Sequence, residues 1–248
     1  MAEFKLVYAG SVLGYFWTLA RPLAMFAIIF VVFSEFLGVG SNVVNYPAML
    51  LIGLLLYQFF TDATSRSVQS MVMNESTLRK MEFPRAVIPS AIVLTAAFSF
   101  VLNFLAVAII LIFTGIEVQI TWLLLPFLWL LLLVLIIAIC FILSTLFVRF
   151  RDIAQIWAVV SLTLFYASPV MYPAEIVPEQ FRWILIANPL APIFELTRKW
   201  AVDPGAPGPI EAAGSAWGLW GPVLIALAIC VVAVLVFRRR ARGVAELL

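Results

Sequence analysis

Histidine is absent from this 248-residue chain, and its two cysteines, Cys140 and Cys230, both lie inside long apolar runs. The first absence removes the commonest general base and metal ligand near neutral pH. The cysteines read as small hydrophobes in helix packing, since nothing in their setting suggests a disulfide or a metal pair. Charge is scarce as well. Only 11% of residues are charged, against about 25% in a soluble domain. The net charge of +2 is too small to point to nucleic acid. No G-x-x-x-x-G-K-S/T loop is present, so ATP is not held in that way. The G-x-S-x-G nucleophile turn, paired-carboxylate loops and His/Cys clusters are missing too, which leaves an embedded hydrolase or transferase poorly supported. The N-terminus lacks a basic region followed by a short apolar core and a small-residue cleavage site, so no cleaved signal peptide is expected.

What is present is hydrocarbon. Hydrophobic residues make up 65% of the chain, which predicts an all-α, polytopic integral membrane protein with little length left for anything else. Apolar runs predict six spans, at residues 22–38, 46–64, 86–114, 120–148, 153–170 and 217–237. The fifth is short, because helix rises only ~1.5 Å per residue against a hydrocarbon core of roughly 30 Å. Ahead of them, residues 1–21 predict a helix in the interface plane, on which Phe4, Tyr8, Val12, Tyr15 and Leu19 form one apolar face. An ordinary amphipathic helix packed on protein is the other reading. Arg21-Pro22 predicts a change of direction where that helix ends and the first span begins.

Two irregular regions interrupt the oil. Residues 65–85 contain NESTLRKMEFPR, with Glu75, Arg79, Lys80, Glu82 and Arg85 close together. Asn74 or Ser76 can cap a short helix there, with Glu75 and Arg79 in the favourable i, i+4 order. By charge pattern alone this is a solvated turn or a docking element. Residues 171–216 hold seven of the chain's 14 prolines, and two half-helices around Asn188-Pro189 fit better there than a full span. Broken backbone at membrane depth is tolerated only inside protein or along a cavity. With six spans, twelve Lys and Arg residues fall on the side of the termini and three (Arg182, Arg198 and Lys199) on the other. The positive-inside rule then makes both termini and the first charged loop cytoplasmic, and the proline-rich hairpin external.

Polar residues within spans pair with other helices or face a water-filled path. Gln58, Asp62, Asn103 and Gln155 are in this position. Phe26, Phe30, Phe33 and Phe36 form a stripe on the first span, and Tyr57, Phe59 and Phe60 cluster on the second. Such rings pack in a core, meet lipid, or offer flat faces to sugar rings.

Five pieces occur in order: YAGSVLGYFWTLARPL, NESTLRKMEFPRAVIPS, FVRFRDI, SPVMYPAEIVPE and NPLAPIFELTR. Together they resemble the permease subunit of ABC type 2 transporters, in the branch that exports lipid-linked polysaccharides such as O-antigen, capsule or wall teichoic acid. The likeness covers nearly the whole chain, although Val7 and Ala9 stand where relatives carry basic residues. The resemblance implies a homodimer in the bacterial cytoplasmic membrane, docked on two separate ATPase subunits that hold the ATP and Mg, with no cofactor in this chain. It implies a cytoplasmic coupling helix that includes Asn74, Glu75, Leu78, Arg79 and Lys80, followed by Phe83, Pro84 and Arg85. It also implies an external re-entrant gate with Pro169, Tyr172, Asn188 and Pro189, and a conduit for which Phe30, Phe33, Tyr57, Gln58 and Asn103 are the lining candidates. The cargo is a lipid-linked glycan on this reading. A drug or small lipid keeps the family and changes the cargo, and an intramembrane enzyme acting on lipid-linked sugars is the rival of another class. If the loop is a coupling element, reversing Arg79 and Lys80 together to Glu uncouples ATP hydrolysis from export or releases the ATPase. Co-purification with the ATPase and an export assay check this; normal binding and export would reduce the loop to a turn.

Overall fold

The computed structural model describes residues 14–74 and 86–240. Every regular element among the described residues is helical. Helices occupy all six apolar stretches: α1 (Gly14–Phe30), α2 (Tyr46–Val68), α3 (Val87–Phe113), α4 (Leu125–Arg149), α5 (Ile153–Ala167) and, after the interrupted segment, α9 (Trp217–Arg240). Between α5 and α9 lie three short helices, α6 (Trp183–Ala187), α7 (Ala191–Ala201) and α8 (Pro209–Ala213). Among the described residues, five helices are long and apolar enough to cross a membrane. The exception, α5, has 15 residues, about 22 Å of rise against a ~30 Å hydrocarbon core.

The turns that separate these helices follow local chemistry. Asn45 takes a left-handed conformation (φ 51°) directly before α2, and Pro47 occupies that helix's first turn, where its missing N–H leaves no bond unmade. Pro126 plays the same part in α4. Gly38, at φ 67°, ends the first helical stretch.

That first stretch differs from expectation. The helix runs without a break through Arg21-Pro22 and continues as a π-helical turn, Val31–Phe36. No break in the helix separates an interface helix from a span there. The reason lies in the apolar face. Leu19, Leu23, Phe26, Phe30 and Phe33 all pack against the core from the two sides of Pro22, and a break would separate them. Proline within a spanning helix is tolerated where its surroundings re-satisfy the freed backbone group. The predicted interface helix over residues 1–21 otherwise lies outside the described residues up to residue 13.

The core is built around α2. Of its candidate span, 78% is buried, against 11% for Leu19–Phe36, 28% for Val87–Phe113 and 17% for Trp217–Arg239. The apolar surplus of α3 and α9 therefore faces outward, as it does in helices bathed by lipid. Helix α2 holds α5 and the segment just after it by a ladder of polar contacts. The Tyr46 hydroxyl donates to the Met171 carbonyl at 2.8 Å. The Tyr57 hydroxyl donates to the Ser161 carbonyl, and the Trp157 indole N–H donates to the Thr64 hydroxyl at 3.1 Å. Residues 46, 57 and 64 are separated by whole turns of helix, so one edge of α2 runs antiparallel to α5. Without water, each of these donors would otherwise lack a partner, at a cost of about 1–3 kcal/mol.

Close backbone approaches seat the interrupted segment. An added Cβ at Gly53 of α2 would stand 3.0 Å from the Val170 carbonyl. At Gly218 of α9 it would collide with the Pro209 carbonyl and the Ala213 Cβ, and at Gly221 it would stand 2.9 Å from the Ile186 carbonyl. Small residues permit such contacts between membrane helices. We expect Gly218→Leu to push α8 off α9 and to destabilise the protein by about 1–3 kcal/mol, measured as a lower unfolding temperature of the detergent-purified chain.

Candidate functional site

Two regions bear on the expected function: the root of the first charged loop, and the interrupted segment. At the loop root, α2 gives way to a single helical turn, Ser70–Met73. Met71 is wholly buried against Val148 of α4, with Val72 and Phe237 of α9 packed on the same cluster. The Asn74 side-chain amide donates to the Ser70 carbonyl at 2.9 Å. Asn74 thus closes this turn; the helix that the sequence expects it to open lies outside the described residues. Glu75, Leu78, Arg79, Lys80, Phe83, Pro84 and Arg85 lie outside the described residues. The second basic turn is braced by its own aromatics. The Arg149 guanidinium lies 5.5 Å from the Phe150 ring centroid, and that of Arg151 5.1 Å from Phe147, within cation–π range.

The interrupted segment is tied at Asn188-Pro189. The Asn188 amide donates to the Ser168 hydroxyl at 2.8 Å and to the Ala167 carbonyl at 3.2 Å, while its Oδ1 accepts from the Leu190 N–H at 2.9 Å. One 3%-exposed side chain therefore joins the C-terminal end of α5 to the start of α7. Pro192 lies in the first turn of α7, which begins at Ala191. Pro169 is buried next to the knot, and the Tyr172 hydroxyl donates to the Tyr166 carbonyl at 2.9 Å. The expected gate residues Pro169, Asn188 and Pro189 thus meet around the end of α5, with Tyr172 linked to the same helix.

The opposite flank of α7 carries a charged cluster that the sequence reading did not single out. Arg198, with a 12%-exposed side chain, donates to both Glu175 oxygens at 2.8–2.9 Å, and Asp203 stands 3.9 Å away. One turn earlier, Glu195 is 7% exposed. Burial, reinforced by the Glu175 charge and opposed by Arg198, pushes its carboxyl up to about 8. Lys199 pairs with Glu211 at 3.6 Å, and the Gly208 N–H, with Lys199, holds the Glu211 carboxyl below its usual range. The available sign was an acid inside the apolar run NPLAPIFELTR, three residues before an arginine.

The conduit candidates divide into two groups. Tyr57 is 6% exposed, with ring contacts to Phe60, Phe165 and Phe194 at 4.9–6.4 Å. Asn103 is buried at 6%. Both are enclosed by this chain's own helices. Phe30 and Phe33 are partly buried on the α1 side of the core, and Phe30 stacks on Phe26 at 5.6 Å. Gln58 is also partly exposed. Its amide donates to Asp62 at 2.8 Å, and Asp62 lies 3.9 Å from Arg21.

The family model described as ABC-2 type transporter matches residues 1–200. The chain belongs to this family. ABC-2 permeases work with a nucleotide-binding ATPase partner, so this chain is the membrane part of a transporter and not the enzyme that hydrolyses ATP. Among its relatives is the O-antigen export system permease protein RfbA of Klebsiella pneumoniae, 30% identical over 190 residues, which are 76% of this chain and 73% of that protein. The RfbA protein of Myxococcus xanthus is 29% identical over 192 residues, covering 76% and 72%. The polysialic acid transport protein KpsM of Escherichia coli is 28% identical over 210 residues, covering 83% and 80%.

The Asn188 knot makes a specific demand on this ABC-2 permease. Asn188→Leu keeps the bulk and removes three hydrogen bonds, leaving the Leu190 N–H without its acceptor and the Ser168 hydroxyl with only its bond to the Leu164 carbonyl. We expect a loss of about 1–3 kcal/mol and faster amide exchange at the start of α7 than in the parent chain, read by hydrogen-exchange mass spectrometry.

Proposed function

We propose that this chain is one half of a homodimeric permease that exports a lipid-linked polysaccharide across the bacterial cytoplasmic membrane. The observation that carries the reading is the naming of its relatives: O-antigen export permeases and a polysialic acid transport protein share about three quarters or more of the chain. In this reading α5 serves as a crossing, the fifth of six, despite its length, both termini and the first charged loop are cytoplasmic, and the interrupted segment is an external gate. The distribution of Lys and Arg supports that orientation.

Two ATPase subunits, which hold the ATP and Mg, close on nucleotide and draw together the two charged loops at residues 75–85. The loops are rooted in the Met71 cluster, so their movement reaches α4 and α9 through Val148 and Phe237. Spans then part, and the glycan passes. Phe30, Phe33 and Gln58, which are not enclosed by the helix packing, are the residues we assign to the path. Tyr57 and Asn103 stiffen its wall from behind. The chain itself breaks no bond in the cargo.

The test is reconstitution of the permease with its ATPase in lipid vesicles. Lipid-linked glycan should stimulate ATP hydrolysis and appear on the far side, and alanine at Phe30 and Phe33 should lower export while leaving the complex assembled. Stimulation by a drug or small lipid and not by the glycan would transfer the assignment to that cargo. Chemical turnover of the glycan by the permease alone would replace transport with catalysis.

A further inference from the structure

The cluster on α7 contains more acid than base. Glu175 and Asp203 already outnumber the one guanidinium they flank, that of Arg198. Glu195, 7% exposed, sits one turn away, and its carboxyl forms no hydrogen bond among the described residues; Glu175 and Arg198 act on it through charge alone. The Arg198 Nε is likewise buried without a hydrogen-bond partner, so the guanidinium is turned fully toward Glu175 and Asp203. An ionised Glu195 would be a carboxylate in a largely buried position without a protein donor, beside a site that is already net negative. Burial of such a group favours the neutral, protonated form.

No other base nearby offers relief. Lys199 is engaged by Glu211. Helix α7 packs on α2, α4, α8, α9 and the 3-10 turn Ile120–Leu124. From these, Tyr57 faces Phe194, and Cys230 shares a groove with Ile193 and Leu196. Tyrosine and thiol side chains are both neutral at pH 7, and the turn Ile120–Leu124 has no ionisable side chain.

We propose that Glu195 is a proton-binding site, and that its proton holds α7 against the turn Ala174–Ile176, which carries Glu175. Loss of the proton sets Glu195 against Glu175 and weakens the contact between α7 and that turn. The other flank of α7 remains fixed by Asn188, so the movement is a swing about the Asn188-Pro189 break. The sign follows from the direction of the shift. A carboxyl that titrates higher folded than unfolded stabilises the fold below its unfolded value of 4.5, and that stabilisation is lost as pH rises through about 8. On the external placement proposed above, the proton exchanges with the medium outside the cell; the site itself does not depend on the cargo.

The experiment uses the full-length permease in lipid nanodiscs and needs no substrate. Infrared difference spectra should show a protonated-carboxyl band that disappears as pH rises from roughly 6 to 10 in the parent chain and is missing from Glu195→Gln. Amide protection of α7, corrected for intrinsic exchange, should fall by about tenfold over the same rise in the parent chain and stay level in Glu195→Gln, whose amide mimics the protonated acid. Glu175→Gln, which removes the repelling charge, should move the loss of the band to lower pH. A band that survives Glu195→Gln, a parent chain whose α7 protection is flat across the range, or a Glu175→Gln chain with an unmoved band would each overturn the proposal. The parent and Glu175→Gln arms keep it falsifiable should Glu195→Gln fold poorly.

Discussion

The structure depends on one constraint: a donor in a lipid-facing bundle must find its acceptor within the protein. Helix α2 meets that constraint for its neighbours. Tyr46, Tyr57 and Thr64 form its polar edge, and α5 docks along it. The same helix makes its closest backbone approach at Gly53, against Val170 just past the end of α5. Aromatic packing fills the rest, with Phe60 against Trp157 at 5.9 Å and Phe59 stacked on Phe100 at 4.9 Å. A helix of 15 residues has limited surface for dispersion contacts, and its position is set by these directional bonds.

This arrangement explains the placement of the polar side chains in the spans. Tyr57 is buried with its hydroxyl bonded to the Ser161 carbonyl of α5, the role that polar groups in membrane bundles commonly take, and Asn103 is buried as well. Gln58 is one residue from Tyr57, about 100° around the helix, and its partner Asp62 leads toward Arg21 and the open side. Neighbouring residues on one helix thus divide between an inward bracing role and an outward-facing one.

Much of the architecture was legible because hydropathy and punctuation are local signals. Runs of apolar residues bounded by Asn45-Tyr46-Pro47, Thr114-Gly115 and the arginines from Arg238 onward mark helix ends that backbone chemistry requires. The break at Asn188-Pro189 could be read for the same reason. The continuity of α1 through Pro22 could not, because it is decided by contacts of Leu19, Leu23 and Phe26 with distant residues. The site around Arg198 was equally hidden: Glu175 and Arg198 are 23 residues apart, and only the fold brings them together. The part that Asn74 plays in closing the Ser70–Met73 turn was not legible, since that turn carries no sequence signal stronger than that of the loop beyond it.

The buried methionine at the loop root has a mechanical consequence. Met71 is 0% exposed and wedged against Val148 and beside Phe237, so the turn that leads into the charged loop is fixed to its neighbouring helices. An interior packed to crystal-like density resists compression, and a side chain held there behaves as a rivet. Force that reaches this turn would act on the ends of three helices at once, α2, α4 and α9. A looser anchor, such as a glycine linker, would let the same push dissipate in the loop's own conformations.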